Sequence, residues 1–289
     1  MIKTLREYIQ DAQEGHYAIG HFNVANSEGL MAVFEAAVEL DVPVIVGASE
    51  GERDFIGIER IVAMVRSLRE KYDFPIFLNA DHTYSVERVR EAIDAGFDAV
   101  IYDGVTLSVE ENIAHTKACV DYARASGRDI VVESELGFIG KSSKVLDSLP
   151  EGAQVTDDLM TTATAAKEFI SATGIDMLAP AIGNVHGMLK GGLNPHLNKD
   201  RVKEIAETVK IPLVLHGGSG SAQSDIVDVI AAGIAVVHIS TELRVAFRKG
   251  LEAGLADNPS EVAPYRYMEP AVEAMKQVVL EKLRLCNNI

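Results

Sequence analysis

Short apolar runs alternate along this chain with segments of helical periodicity, and this rhythm constrains the fold more than any other feature. The runs are rich in Val, Ile and Leu and recur at intervals of roughly 30 residues, the length of one strand–helix unit. Continuous apolar strands separated by amphipathic helices are typical of a parallel sheet that helices cover on both sides. The eight runs are Tyr17–Val24, Pro43–Ser49, Pro75–Asp81, Ala99–Asp103, Ile130–Glu135, Met177–Ile182, Pro212–His216 and Ala235–Ile239.

Eight strand–helix units within 289 residues predict an α/β protein, a single-domain (β/α)8 TIM barrel over residues 1–289. A doubly wound open sheet is the alternative, but no GxGxxG sequence follows the first run. Two segments depart from the repeat. The Gly- and Ser-containing connection at about 137–160 is expected to be a mobile or working loop, and residues at about 265–288 are expected to form a closing helix.

The charge balance argues against several classes of partner. The chain has 27 Lys and Arg residues against 43 Asp and Glu residues, a formal net charge of −16. A field of that sign disfavours nucleic acid and anionic membranes, so an anionic substrate would need a locally positive site. Cys119 and Cys286 belong to no CxxC pattern, and no apolar run reaches membrane-spanning length. We therefore expect a reduced, cytoplasmic protein.

Polar side chains concentrate at the carboxyl ends of the predicted strands, where such barrels carry their active sites. Asp81 and His82 at the third end pair a candidate general acid/base with a candidate metal ligand. A capped turn facing water is the alternative for this pair alone. Burying many unpaired polar groups is costly, so their recurrence favours a functional site. The other strand ends carry Asn23, Ser49, Asp103, Glu133, Glu135, Asn184, His186, His216, His238, Ser240 and Thr241.

His82, His186 and His216 follow three different strands, and a barrel would bring them to one mouth. Three imidazoles with a carboxylate nearby form a catalytic zinc site with an open position for substrate. A Schiff-base lysine is the alternative electron sink for carbonyl chemistry. None of the eight runs contains a lysine, and only Lys190 is close to a strand end, so the metal route is preferred.

The stretch His216-Gly217-Gly218-Ser219-Gly220-Ser221 predicts a phosphate site. Glycines after a strand let backbone N–H groups approach an anion, and barrel phosphate sites commonly use the loops after strands seven and eight. A flexible turn is the alternative. Metal, phosphate and a lone carboxylate together favour cleavage of a carbon–carbon bond beside a polarised ketone, with Asp81 accepting the hydroxyl proton. A metal-dependent hydrolase and a non-catalytic phosphosugar-binding protein are the competing hypotheses.

In this order along nearly the whole chain, these motifs resemble those of the class II (zinc-dependent) ketose-bisphosphate aldolases, which include fructose- and tagatose-bisphosphate aldolases. The resemblance implies reversible cleavage of a ketose 1,6-bisphosphate, of fructose or tagatose, into dihydroxyacetone phosphate and an aldehyde such as glyceraldehyde 3-phosphate. It also implies a role in glycolysis or related carbohydrate metabolism and a homodimer or homotetramer. The motifs are Gly20–Val24, Pro43–Gly51, Ala80–His82, Val132–Gly137, Ala181–Gly187, Leu213–Ser221 and Ser240–Leu243.

The same resemblance assigns roles to individual residues. It makes Asp81 the proton donor and acceptor, and it makes His82, His186 and His216 the Zn2+ ligands. Asp103 and Glu135 match carboxylates at a second or alternative position for a divalent metal or a monovalent cation. The expected dihydroxyacetone-phosphate cradle is Gly187, Gly217, Gly218, Ser219, Ser240 and Thr241, with Asn23, Ser49 and Lys190 at neighbouring substrate or loop positions.

The chain departs from the family pattern mainly in the half that would recognise the aldehyde. His238 stands where the family usually has an Asn that contacts the ketose carbon skeleton, and it is the one departure in the half that would form the enediolate. The remaining departures concern the aldehyde half. Phe138–Lys144 replaces a Gly-Gly-x-Glu-Asp loop, and Val105-Thr106 replaces Ser-His. An Arg that binds the second phosphate, often across a dimer, is expected around Tyr265, and Arg266 one place further on is its candidate replacement.

Overall fold

The computed structural model describes residues 2–140, 144–149, 151 and 155–289. Eight parallel strands form the barrel, namely β1 (Ile19–Asn23), β2 (Val44–Ala48), β3 (Ile76–Thr83), β4 (Ala99–Tyr102), β5 (Val131–Leu136), β7 (Met177–Pro180), β9 (Leu213–Leu215) and β10 (Ile234–Ile239). Two further strands, β6 (Val145–Leu146) and β8 (Met188–Leu189), form a separate pair. The eight strands close in the order β1-β10-β9-β7-β5-β4-β3-β2. The predicted single-domain (β/α)8 barrel is thereby confirmed.

Helices alternate with the strands and end where the local sequence stops them. Ser108 forms a capping box with Glu111, and Asp73 and Gly96 end their helices in the left-handed conformation. Within the described ranges, no helix combines the length and apolar composition that crossing a bilayer requires. The helices are α1 (Leu5–Gly15), α2 (Ser27–Leu40), α3 (Glu50–Ile56), α4 (Ile58–Tyr72), α5 (Val86–Ala95), α6 (Val109–Ala125), α7 (Ala163–Thr173), α8 (Lys199–Val209), α9 (Gln223–Ala232), α10 (Thr241–Asp257), α11 (Pro264–Tyr267) and α12 (Glu269–Asn287).

Strand alternation divides the core into two layers. Val44 and Val46 of β2 pack in the layer between strands and helices, whereas Ile45 between them faces the barrel interior. The interior is apolar at the amino-terminal end, where Leu5 and Ile9 of α1 close it from below. This floor leaves the opposite mouth of the barrel for polar side chains.

Two segments outside the regular repeat help to complete the structure. In the expected loop at about 137–160, β6 pairs with β8, whereas residues 141–143, 150 and 152–154 lie outside the described residues. The mobility of this loop stays a prediction. The expected closing segment at about 265–288 contains α11 and α12, and α12 packs against α2 and α10.

Candidate active site and metal centre

The polar strand ends converge on one cleft of about 300 Å³ at the carboxyl-terminal mouth of the barrel. Most of the residues singled out in the sequence meet there, although their strands are far apart along the chain. The cleft is lined by Asn23, Asp81, His82, His186, Gly187, His216, Gly217, Ser219, His238, Ser240 and Thr241.

Asp81 and His82 both face this cleft although they are consecutive residues of β3. In a regular strand such neighbours point to opposite faces. Here the pairing with β4 shifts register between Ala80 and Thr83, which inserts one extra residue, and His82 has a φ of 37°. This bulge brings the candidate acid/base and a candidate metal ligand into the same cavity.

Three ring nitrogens converge in the cleft at the spacing of zinc ligands. His216 Nδ1 lies 3.3 Å from His82 Nε2 and 3.4 Å from His186 Nε2. Nitrogens bound to a tetrahedral zinc at about 2.0–2.1 Å lie about 3.3–3.4 Å from one another. The three rings meet nearly edge to face, so no pair of them is stacked.

The second nitrogen of each ring has its own acceptor. His82 Nδ1 lies 3.1 Å from Asp103 Oδ2, and His216 Nε2 lies 2.7 Å from Glu133 Oε1. The third acceptor is the main-chain oxygen of Gly140, 2.7 Å from His186 Nδ1. When a ring is neutral, the proton on its outer nitrogen donates to this acceptor, and the inner nitrogen then directs its lone pair into the cluster.

Glu135 completes the donor set and shows that a cation fits. Its Oε1 lies 2.9 Å from His216 Nδ1, yet neither buried carboxylate oxygen accepts a well-aligned hydrogen bond from any described residue. A buried carboxylate needs a positive charge beside it, which either a protonated ring or a bound cation can supply. The ligand atoms of His82, Glu135, His186 and His216 all lie within 4.8 Å of one another, and N and O donors suit zinc.

The pKa values of the histidines reflect this crowding of charge. Burial and the neighbouring His82 lower the pKa of His186 to about 4, so this ring is neutral at pH 7. Burial also opposes the charge on His82, but Asp81 and Asp103 outweigh it and raise the pKa of His82 to about 9. A metal ion entering the cluster therefore displaces a proton from His82.

Asp81 is buried but ionised. Burial raises its pKa, but the imidazoles of His82, His238 and His21 outweigh burial and hold the pKa of this carboxyl well below its usual range. Asp81 Oδ2 accepts a 2.8 Å hydrogen bond from the amide of Asn23. Asp81 Oδ1 lies 3.4 Å from His238 Nδ1 and accepts no well-aligned bond from the described part of the chain. One carboxylate oxygen is thus fixed and the other is free to accept a proton.

Glu52 was not predicted from the sequence. Through Asn23 it connects the carboxylate of Asp81 with Arg244 of α10. Its Oε2 accepts hydrogen bonds of 2.8 Å from Asn23 Nδ2 and from the hydroxyl and main-chain N–H of Ser49, while its Oε1 pairs with Arg244 at 2.7 Å. The Ser-x-x-Glu capping-box pattern is the sequence signal that predicts the Ser49–Glu52 contact. Ser49 therefore contacts the cleft through Glu52 and Asn23 and does not line it.

His238 lies in a stack of three imidazoles. Its ring centroid is 3.5 Å from that of His21 and 4.1 Å from that of His216. Burial and these two neighbours lower the pKa of His238 well below its usual range, so the ring is neutral. The ligand atoms of His21, Asp81 and His238 are also close together, but the stacked rings keep their lone pairs in separate parallel planes, which is poor geometry for sharing one ion.

The glycine-rich loop after β9 and the start of α10 form a site for an anion. Gly217 has a φ of 65°, and a Cβ there would meet Val185 O at 2.2 Å, so only glycine fits. Ser219 Oγ accepts from the N–H groups of Ser240 and Glu242. The buried hydroxyl of Ser240 has no hydrogen-bond partner among the described residues, and it lines the cleft at the amino terminus of α10.

Two further residues without a sequence prediction support this loop. Asn194 Nδ2 donates 2.9 Å hydrogen bonds to the carbonyl oxygens of Gly187 and Ser219, which joins two sides of the cradle. Buried Lys282 of α12 pairs with Glu242 at 2.8 Å, and that carboxylate also accepts from an N–H of the glycine-rich loop. A lysine on the apolar face of a helix is a weak sequence signal, because long side chains often lie along apolar surface.

Lys190 and Arg266 lie outside the cleft. Lys190 follows β8 with 75% of its side chain exposed and has Asp147 at 3.6 Å as its ion-pair partner. Arg266 in α11 pairs with Glu261 at 3.1 Å and lies over the ring of Tyr265. Within the described ranges, no Lys or Arg lines the cleft.

The family described as "Fructose-bisphosphate aldolase class-II" matches this chain over residues 3–289. The chain belongs to that family. It is therefore an aldolase, a carbon–carbon lyase, and the resemblance of its motifs to this family is confirmed. Its fold and its cluster of candidate metal ligands agree with this membership.

Relatives of this family member carry different substrate names. The chain is 39% identical to a "6-phospho-5-dehydro-2-deoxy-D-gluconate aldolase" of Bacillus licheniformis, over 97% of this chain and 93% of the relative. It is 37% identical to a "Fructose-bisphosphate aldolase" of Staphylococcus aureus, over 97% and 96%. The crystal structure of the YdjI aldolase from Escherichia coli K12 is similar, with 33% identity, a TM-score of 0.81 and coverage of 99% and 97%.

Replacing Glu133 by Gln tests whether the outer contacts of the rings matter for metal binding. The amide keeps the shape of the side chain but removes the negative charge at His216 Nε2, so we expect zinc affinity to fall by about 10- to 100-fold in chelator competition. Asp98→Asn is the matched control, since Asp98 pairs with Arg69 at the far end of β3. Zinc affinity equal to that of the parent protein in Glu133→Gln would contradict this account.

Proposed function

We propose that this chain is a zinc-dependent class II aldolase that joins and cleaves dihydroxyacetone phosphate and an aldehyde. The observation that carries the proposal is the convergence of three imidazole nitrogens, with His216 Nδ1 3.3 Å and 3.4 Å from the other two, beside a carboxylate that accepts no well-aligned hydrogen bond from the described residues. The ionised Asp81 and the unpaired hydroxyl of Ser240 line the same cleft. These groups supply the metal, acid/base and phosphate functions that aldol cleavage needs.

His82, His186 and His216 would hold the zinc, with Glu135 as the carboxylate beside them. Bound zinc supplies a Lewis acid that polarises the ketose carbonyl and stabilises the negative charge of the enediolate. Asp103 and Glu133 hold two of the rings by their outer nitrogens. We assign these two carboxylates to orientation, although Asp103 also stays a candidate for a second cation.

Asp81 would move the proton. In cleavage, its free Oδ1 accepts the proton of the hydroxyl on the aldehyde-side carbon next to the breaking bond. That carbon becomes the aldehyde carbonyl, and the electron pair of the broken bond passes to the ketose side. In condensation, Asp81 returns the proton to the new hydroxyl. The hydrogen bond from Asn23 to Oδ2 keeps the free oxygen directed at the cleft.

The phosphate of the three-carbon half would bind between the glycine-rich loop and the start of α10. Ser240 supplies a free hydroxyl there, and the main chain of Gly217 and Gly218 allows close approach by an anion. Ser219, Asn194 and Glu242 keep this frame in place through their own hydrogen bonds.

For the aldehyde half we propose a ketose 1,6-bisphosphate, of fructose or tagatose, as the substrate. Because similar relatives are named for different substrates, family membership does not determine the aldehyde. The described cleft contains no Lys or Arg for a second phosphate. Arg266, exposed on α11, is the proposed phosphate ligand of a homodimer or homotetramer. That assembly and a cytoplasmic location stay predictions.

Turnover tests the proposed reaction. Chelator-stripped protein is given fructose or tagatose 1,6-bisphosphate, with and without zinc, and release of dihydroxyacetone phosphate is followed. We expect zinc-restored release from one of them. Asp81→Asn should retain zinc but lose at least about 100-fold in kcat, because a general acid/base contributes about 10²–10⁴-fold.

Proton exchange at the hydroxymethyl carbon of dihydroxyacetone phosphate separates the remaining cases. Exchange without bisphosphate cleavage would support the aldolase hypothesis but indicate a different aldehyde as the second substrate. Binding without exchange, in the presence of zinc, would favour a non-catalytic phosphosugar-binding protein. His238 at the place of the family Asn supports that hypothesis. Full turnover by Asp81→Asn would contradict the role given to Asp81.

Ser240→Ala tests the phosphate site. A hydrogen bond to a charged group is worth about 1.5–3 kcal/mol, so the Kd for dihydroxyacetone phosphate should rise by about 10- to 150-fold. Zinc affinity should not change, because Ser240 lies outside the ligand cluster. Ser126→Ala, at the carboxyl end of α6, is the control. An unchanged Kd in Ser240→Ala would place the phosphate elsewhere.

A further inference from the structure

Arg53 is a buried arginine that no motif predicted. Only 1% of its surface is exposed, and it lies in α3 directly after β2. Its Nη1 donates to Ala48 O at 2.5 Å and to Asp81 O at 3.1 Å, and its Nη2 donates to Thr83 Oγ1 at 3.0 Å. In the described part of the chain no carboxylate pairs with its guanidinium, so this buried charge is balanced by main-chain and hydroxyl oxygens.

The acceptors of Arg53 surround the bulge of β3. Asp81 O and Thr83 Oγ1 lie on either side of His82, the residue with the left-handed φ of 37°. A non-glycine residue in that region is strained and persists only where its surroundings hold it. Ala48 O belongs to the neighbouring strand, so the guanidinium also ties the bulge to β2.

We propose that Arg53 is a positioning residue for the metal centre. It holds residues 81–83 in the bulged conformation that directs both the carboxylate of Asp81 and the imidazole of His82 into the cleft. Relaxation of the bulge toward a regular strand turns His82 toward the helix layer and removes one zinc ligand. The inference rests on the proposed metal centre and adds a residue that touches neither the metal nor the substrate.

The contact geometry requires arginine in particular. Three acceptors on two strands are reached by one planar fork with fixed N–H directions. A lysine presents a single charged point, so it cannot satisfy Ala48 O and Thr83 Oγ1 in the same way. Arg53→Lys therefore keeps the charge and loses the fork, which separates positioning from simple charge balance.

Arg69 provides a matched control on the same strand. Its Nε donates to Ile76 O at 2.7 Å, and its guanidinium pairs with Asp98, at the amino-terminal end of β3. It is also an arginine that binds β3 main chain, but it lies at the opposite end from the cleft. Arg69→Lys should lower Tm without moving the metal centre.

The experiment compares Arg53→Lys and Arg69→Lys in the full chain. Zinc affinity is measured by chelator competition, the visible spectrum of the Co2+-substituted protein reports ligand geometry, and Tm reports stability. For Arg53→Lys we expect zinc affinity to fall by about 10- to 100-fold with an altered cobalt spectrum, the usual effect of losing a residue that orients a ligand. Arg69→Lys should match the parent protein in both metal readouts.

Two results overturn the proposal. The first is a zinc affinity and cobalt spectrum of Arg53→Lys equal to those of the parent, and the second is an equal loss of zinc affinity in Arg69→Lys. If Arg53→Lys does not fold, Thr83→Val removes one acceptor and should shift both metal readouts in the same direction, and unchanged readouts there count against the proposal. A parent that binds no zinc would overturn the metal centre itself, together with this inference.

Discussion

The site depends on one electrostatic constraint. Three imidazole nitrogens and a buried carboxylate face one another at the spacing of ligands to a single zinc ion. The outer hydrogen bonds of the rings to Asp103, Glu133 and Gly140 O impose this arrangement. Because His82, His186 and His216 follow different strands, closure of the barrel sets the distances between them. Barrel, outer contacts and bound ion would therefore form one interdependent unit, in which the metal takes the place of the proton on His82 that balances buried carboxylate charge in its absence.

Part of the chain's excess of acidic residues is concentrated at this site. Asp81, Asp103, Glu133 and Glu135 are all buried at the mouth of the barrel, so the charge of the centre favours a cation there. Under the proposed function, the anionic substrate would be bound by the metal, the amino terminus of α10 and free hydroxyl and amide groups, since the described cleft contains no Lys or Arg.

The sequence predicted the barrel and the convergence of its polar strand ends, because apolar periodicity and strand order determine both. It could not show which residues support the site residues through hydrogen bonds and ion pairs outside the cleft. Arg53, Glu52, Asn194 and Lys282 act through main-chain carbonyls and ion pairs that exist only after folding. Gly140 is a similar case, since only its carbonyl takes part. Lys190, Arg266 and Ser49 are matched to the family by position alone. In the structure they contact Asp147, Glu261 and Glu52, and their roles in substrate binding stay predictions.

The most direct test of the account is the position of zinc in crystals of zinc-loaded protein, located by anomalous scattering at the zinc absorption edge. The account predicts one strong peak bonded to His82 Nε2, His186 Nε2 and His216 Nδ1, with Glu135 beside it and with Asp103 and Glu133 still on the outer ring nitrogens. A peak held by His238 and Asp81, or rings that bind zinc through the nitrogens now facing Asp103 and Glu133, would contradict it.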